Sequence, residues 1–455
     1  MSAESKSSFF RHSGWMVVST FLGGIFMAGV PFLALHGHVM EKSDCNTFIA
    51  LLRLLMLLGA VPSAALQTIF AQQAAAALTD DSRGELTAPV RALLKATFIF
   101  WLAVAGGVLI FVRPFSATLA VNDPMAVRVT VLAVLAVLWV PVFKGLLQGL
   151  HRFGPLGGLA TLEGMVRLGM FVLLVKWLSG GAAGGLWAVF TGQYLVVFLA
   201  LWLTRDVWSA KTSAAFLWKP WLRRAVPLTL GMGAYVFMSI QVDSLFVNST
   251  FHNSADVQLY NCAMFIGFAM TQFIAPIAAV MFPTIVRHMA MSKKTNALLL
   301  TLAVTGGFAC LAATGCTLFP RLPLAILFPD KIGAAVLVPL YVWALVPLAL
   351  ANVLIQNLLA RGRFAATPWL ISVPILYVLT LLACKPRLAA MTDDFSAFKV
   401  IIQIMGLFCL LLFGVAAWFT WRKPATGASG PDSAVARGVC DTASSPPGRK
   451  VSAGD

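Results

Sequence analysis

Twelve stretches of mainly apolar residues follow one another along this chain of 455 residues. A transmembrane helix needs about 20 such residues, and each stretch meets that length. They fall near 14–35, 46–71, 93–112, 128–150, 155–178, 183–204, 225–247, 257–285, 297–319, 333–359, 365–384 and 400–421. Hydrocarbon offers no water to the backbone N–H and C=O groups, so segments of this kind must fold as helices. Composition agrees: 59% of the residues are hydrophobic, only 11% are charged, and the mean hydropathy is +0.86. A soluble protein carries roughly 25% charged residues. The sequence therefore predicts an all-α polytopic membrane protein with about twelve transmembrane helices.

The net charge of +16 excludes little by itself, but its distribution does. The cations sit in short loops between apolar segments, with no basic face on a soluble module. Topology signals and contacts with membrane lipids explain them, and nucleic acid is not an expected partner. With the N-terminus inside, 20 of the 33 Lys and Arg residues fall in inner loops or the tail, 9 in outer loops, and Arg53, Lys95, Lys144 and Arg167 within or at the edges of spans. This excess orients both termini toward the cytoplasm. The N-terminal apolar run lacks a small-residue cleavage site and reads as a retained first span. Residues 205–224, basic and with three tryptophans, are expected to form an amphipathic linker on the inner surface. Residues 422–455 are rich in Ser, Gly, Pro and Ala, a composition expected to stay disordered. The seven cysteines include no CxxC pair and read as small apolar residues, so neither a metal nor a disulfide framework is expected.

The stretch Trp139–Arg167, WVPVFKGLLQGLHRFGPLGGLATLEGMVR, joins two apolar segments through a short basic turn and is echoed about 200 residues later. Trp139, Pro141, Gln148, Arg152 and Phe153 find partners in Trp343, Pro347, Gln356, Arg361 or Arg363, and Phe364. A second pair shares the offset: Pro62 in the second span and Pro276 in the eighth each precede a small-residue stretch and polar residues. An offset of six spans is even, so both halves cross in the same sense, as in transporters that bind substrate between two parallel repeats. Expected divisions are a six-helix half at 1–204, the linker at 205–224, a second half at 225–421, and the tail. A central cavity lined partly by spans 1, 2, 7 and 8 follows. The alternative is that the prolines are ordinary packing kinks.

The segment KGLLQGLHRFGPLGGLATLEGMVRLGM resembles a region of polysaccharide-export flippases in which a GllqGlqrFg turn precedes an llEgl.Rl helix. QVDSLFVNSTFHNSADVQLYNCAMFIGFAMTQFIAPIAAVMFPTIV and QTIFAQQAA are similar to two further segments of the same group. This group is the polysaccharide-transporter (Wzx-like) branch of the multidrug/oligosaccharidyl-lipid/polysaccharide exporter superfamily, and the resemblance covers most of 14–421. It implies a flippase that moves a lipid-linked oligosaccharide, carried on polyprenyl pyrophosphate, across a bacterial cytoplasmic membrane for cell-surface polysaccharide synthesis. It also implies a polymerase or glycosyltransferases as partners. Asn261 and Cys262 depart from the small residues the branch has there.

Charge inside a bilayer is expensive and needs a partner, a wet cavity or a function. Glu163 and Arg167 stand four residues apart on one helical face, as either a structural salt bridge or a cavity pair. Arg53, one turn into the second span, either binds phosphate through its guanidinium fork or snorkels outward. Lys144 reaches lipid phosphate or substrate pyrophosphate. Asp243 either carries a coupling proton or sodium ion or ends a helix at the interface. Gln148, Gln241, Asn261, Gln272, Asn352 and Gln356 add cavity-type polarity, for which interhelical hydrogen bonding is the plainer account. The candidate substrate-binding set is thus Arg53, Lys144, Arg167, Gln148, Gln241, Asn261, Gln272 and Gln356, with Asp243 and Glu163 as ion-coupling candidates and no cofactor. A transporter is expected and not an enzyme, because the outer loops are short and lack the positioned carboxylates that sugar chemistry requires. The alternative is a multidrug or organic-cation antiporter of the same superfamily, and after it a membrane enzyme or a scaffold of polysaccharide assembly.

Overall fold

The computed structural model describes residues 3–36, 39–76, 86–112, 123–209, 216–239, 242–251, 256–272, 274, 297–391 and 393–422. The expected tail beyond 422 and the end of the eighth span lie outside these residues. Every regular element within them is helical: α1 (Ala3–His36), α2 (Lys42–Ala76), α3 (Thr87–Ile110), α4 (Pro124–Gly149), α5 (Phe153–Phe171), α6 (Gly181–Leu203), α7 (Trp218–Ser239), α8 (256–272), α9 (Ala297–Leu318), α10 (Val338–Ala360), α11 (Thr367–Ala389) and α12 (Asp394–Trp421). Nine of the described helices are long and apolar enough to cross a membrane, and the chain is a multi-pass membrane protein. Their outward faces carry exposed Phe, Leu, Ile and Trp, the surface that a lipid solvent requires.

Several boundaries differ from expectation for local reasons. Residues 218–224, expected in the linker, belong to the first turns of α7, where Pro220 sits near the helix start and removes no needed donor. The expected seventh span is described in two helical pieces, α7 up to Ser239 and Val242–Thr250, with 240–241 outside the described residues. The tenth span does not start at 333 as a helix of the same kind. A 3₁₀ stretch, Pro329–Val336, leads into α10, with Pro339 in the first turn of the helix proper. Between α6 and α7 the expected linker contains one short helical turn, Arg205–Trp208. Beyond α5 the chain continues through a π-helical turn, Val172–Trp177.

Packing pairs recur at an interval of six helices. In the first half α3 packs on α4, α4 on α6, α1 on α5 and α5 on α6. Further along, α9 packs on α10, α10 on α12, α7 on α11 and α11 on α12. The buried apolar residues divide accordingly. Two clusters draw on residues 16–207, and a third on 225–416, joined by Ile69, Ala71 and Ala75 from the C-terminal end of α2. Contact between α2 and α7 connects the two sets.

Glycine explains the closeness of α2 to α4 and of α1 to α5. A Cβ at Gly145 would strike the Gln67 carbonyl, and one at Gly164 would lie 2.5 Å from the Gly23 carbonyl oxygen. With no hydrophobic drive between helices in lipid, such small-residue contacts supply the packing. Gly145, Gly149 and Gly164 are therefore seats for neighbouring backbones.

Candidate functional site

Two buried polar constellations stand out, one in each half. In the first, Glu163 on α5 receives Lys144 from α4, with Nζ 2.9 Å from Oε2. Arg167, one turn further along α5, approaches the other carboxylate oxygen with Nη2 at 3.5 Å. The expected Glu163–Arg167 pair is thus the looser half of a three-residue cluster. Lys144 does not extend to lipid phosphate; its side chain, 21% exposed, turns to Glu163. Glu163 and Arg167 are buried, and the Nε of Arg167 is buried without a hydrogen-bond partner. Arg167 backs onto Gly192 of α6, where the absent side chain leaves it room. Two cations share one carboxylate, leaving a formal excess of one positive charge in a region of low dielectric.

One turn inward of Lys144, Gln148 accepts a hydrogen bond from Gln67 Nε2 at 2.8 Å, tying α4 to α2. Gln193 on α6 is also buried, with its Oε1 unpartnered. Sequence reasoning missed Gln67 and Gln193. A polar residue amid an apolar span was the available signal for both.

The second constellation centres on Asp243, at the start of the helical segment after α7. It is not an interfacial helix end: it is 1% exposed. Its Oδ2 accepts hydrogen bonds from the hydroxyls of Tyr260 on α8 at 2.5 Å and Tyr341 on α10 at 2.6 Å. The two rings meet edge to face at 5.9 Å. Tyr377 of α11 is buried too, and its hydroxyl is unpartnered. Three chain segments thus converge on one carboxylate. Asp243 was legible in the sequence as a charge in an apolar run, whereas its tyrosines, spread over more than 80 residues, were not.

The other expected residues are dispersed. Asn261, next to Tyr260, accepts a hydrogen bond from Ser244 at 2.9 Å and so borders the Asp243 cluster. Gln356 donates to Asn352 at 3.0 Å within α10, a local i, i+4 bond. It lies six residues before Gly362 whereas Gln148 lies three before His151, so the two glutamines do not occupy equivalent places. Gln272 is exposed near the end of α8. Arg53 lies on α2 with its side chain outside the described set, and Gln241 lies outside the described residues altogether. Among the described residues, the members of the expected substrate set are not brought together in one place.

The repeat is better carried by residues whose polar atoms do the same thing twice. Trp139 Nε1 on α4 donates to Thr97 on α3 at 3.0 Å, and Trp343 Nε1 on α10 donates to Thr317 on α9 at 3.0 Å. After α4, Arg152 donates to the Leu203 carbonyl at the end of α6 at 2.7 Å. After α10, Arg363 donates to the Phe419 and Thr420 carbonyls near the end of α12, both at 3.0 Å. Each arginine satisfies carbonyls that a helix C-terminus leaves without partners.

The fold matches solved transporters. The eukaryotic MATE transporter AtDTX14 superposes with a TM-score of 0.70 at 12% identity, over 91% of this chain and 95% of that one. A MATE structure in its straight conformation gives 0.69 at 13%, over 91% and 95%. An outward-facing multidrug resistance MATE family transporter of the MOP superfamily gives 0.66 at 14%, over 91% and 96%. The chain has the fold of these transporters along nearly its whole length. No family profile matches the sequence, and no curated protein matches it.

Proposed function

We propose that the chain is a secondary-active transporter that works by alternating access between its two halves, exchanging an organic substrate for a coupling cation as a multidrug-type antiporter does. The breadth of the likeness to MATE transporters, one of them titled a multidrug resistance transporter, supports this reading. The observation that carries the coupling step is Asp243. A buried carboxylate held by the hydroxyls of Tyr260 and Tyr341, inside an apolar span, is a group whose charge state alters local packing. Cation uptake at Asp243, as a proton or sodium, would weaken its hold on the two tyrosine hydroxyls and let the segment after α7 shift against α10. We orient both termini toward the cytoplasm, in a bacterial cytoplasmic membrane.

A second reading rests on the other constellation. The excess positive charge of Lys144, Glu163 and Arg167, with an unpartnered guanidinium Nε, suits an anionic headgroup. That favours export of a lipid-linked oligosaccharide on a pyrophosphate carrier, the substrate implied by the sequence resemblance.

Proteoliposomes separate the two. With an imposed proton or sodium gradient, the antiporter reading expects gradient-driven movement of a fluorescent organic cation that Asp243→Asn reduces to background while the protein stays folded. No dye movement, together with inner-leaflet accumulation of lipid-linked sugar in depleted cells, would establish the flippase instead. Dye movement unchanged in Asp243→Asn would remove Asp243 from the coupling step.

A further inference from the structure

We propose that the exposed cations and aromatic rings at the end of α6, on the turn Arg205–Trp208 and at the start of α7 form a docking surface for anionic phospholipid headgroups. The helical turn Arg205–Trp208, directly after α6, is held against the protein. Thr87 of α3 donates to the Val207 carbonyl at 2.5 Å, Arg91 Nε donates to the Trp208 carbonyl at 2.8 Å, and Trp208 Nε1 donates to the Leu201 carbonyl at 2.8 Å. Trp208 and Trp221 both pack against the inner cluster of the first half, so the helical turn Arg205–Trp208 and the start of α7 share one supporting surface.

On this surface aromatic rings and cations alternate. Phe216, Trp218 and Trp221 form an edge-to-face group with centroids 4.8 to 6.0 Å apart. Arg205 lies over the Trp202 ring at 5.7 Å. Exposed Arg91, Arg205, Lys219 and Arg223 give four positive charges. The exposed acid here among the described residues, Asp206, is already engaged by both guanidinium nitrogens of Arg152, at 2.6 and 3.2 Å. A shallow cleft of about 330 Å³ opens between Arg152, Trp202, Leu203, Arg205 and Asp206.

Tryptophans belong at the headgroup level of a bilayer, and cations beside them attract anionic lipid at about 1 kcal/mol each near the surface, about fivefold in affinity. A soluble acidic partner would meet the cations without using the indoles. A lipid headgroup uses both: the phosphate meets the cations while the acyl chains lie along Trp202, Leu217 and Trp218, all exposed. Occupation would brace the connection between the halves, and through it the pairing of α2 with α7.

The test is retention of lipid by the full chain. Protein equilibrated with equal amounts of phosphatidylcholine and phosphatidylglycerol, then examined by native mass spectrometry, should keep phosphatidylglycerol preferentially. The triple variant Arg205→Gln, Lys219→Gln, Arg223→Gln should lose that preference by at least tenfold, at about fivefold per cation. A control with three exposed cations removed elsewhere, Arg321→Gln, Lys385→Gln, Arg387→Gln, should keep it. Thermal unfolding checks the same point, because phosphatidylglycerol should raise Tm for the wild type and the control but not for the triple variant. No preference in the wild type, or equal loss in both variants, would overturn the proposal and leave net charge as the explanation.

Discussion

The turn between α4 and α5 and the turn between α10 and α11 share one backbone and differ in what surrounds it. In the first, Leu150 N donates to Leu146 O, His151 N to Gln148 O and Arg152 N to Leu147 O. In the second, Arg361 N donates to Asn357 O, Gly362 N to Leu359 O and Arg363 N to Leu358 O. The middle residue of each is left-handed, with φ of 58° at His151 and 66° at Gly362. The third residue is an arginine that caps the helix two positions further along in its half. Yet α4 and α5 enclose Lys144, Glu163 and Arg167, whereas the buried faces of α10 and α11 present Tyr341 and Tyr377 to Asp243. The scaffold is duplicated and the charges are not. On the transport reading proposed above, the repeated parts would carry the motion and the unrepeated polar groups would set what is moved and what drives it.

The largest effect should come from breaking the charge cluster. Glu163→Gln leaves Lys144 and Arg167 close together with no counter-charge, and should cost about 3–5 kcal/mol, read as a fall in Tm and in folded yield. Adding Lys144→Met and Arg167→Met should restore much of that loss. Recovery of transport along with stability would make the cluster structural, while recovery of stability alone would make it part of the substrate path.

The two arginine caps come next. Arg363→Ala strands carbonyls of α12 and should cost about 1–3 kcal/mol. Arg152→Ala should cost less, because the Arg152–Asp206 pair is partly exposed, 36% and 44%, and water replaces it readily. Unfolding in detergent orders the two, and a larger loss at Arg152 would show that the salt bridge with Asp206 matters more than the carbonyl contact. A reciprocal exchange at the left-handed positions should be smaller again. Gly362→Ala should destabilise by about 1–2 kcal/mol and His151→Gly should stabilise by up to about 1 kcal/mol, because a Cβ is disfavoured in that conformation.

The smallest effect concerns the start of α12. Asp393 accepts from Ser396 Oγ at 2.6 Å and from the backbone N–H of Phe395 and Ser396, which holds its carboxyl below the usual range. Its contribution is present above the ordinary carboxylate pKa and is lost as pH falls through the depressed value. The Tm difference between wild type and Asp393→Ala should therefore be seen at neutral pH and shrink in strong acid.

The places where sequence reading succeeded and failed have a common physical origin. Trp139, Arg152, Trp343 and Arg363 were readable as a repeat because each makes a short-range contact dictated by helix direction and by the chemistry of helix ends. Gln148 and Gln356 looked equivalent and are not, because composition alone does not fix helical register relative to the turn. Lys144 was open between lipid phosphate and substrate pyrophosphate, and its pairing with Glu163 was not legible because nothing in the linear order shows that α5 turns back alongside α4.

The sequence by itself determined the membrane-spanning character, the helical class and the sixfold spacing of the repeat. Each follows from the cost of exposing polar backbone to hydrocarbon, which every apolar segment meets locally. Only the tertiary structure decided which polar groups meet. Asp243, Tyr260, Tyr341 and Tyr377 come from four separate segments, and bringing one carboxylate under two hydroxyls depends on the angles at which those segments cross. Those angles are set by small residues at the helix contacts, an effect that acts between segments and leaves no period in the chain.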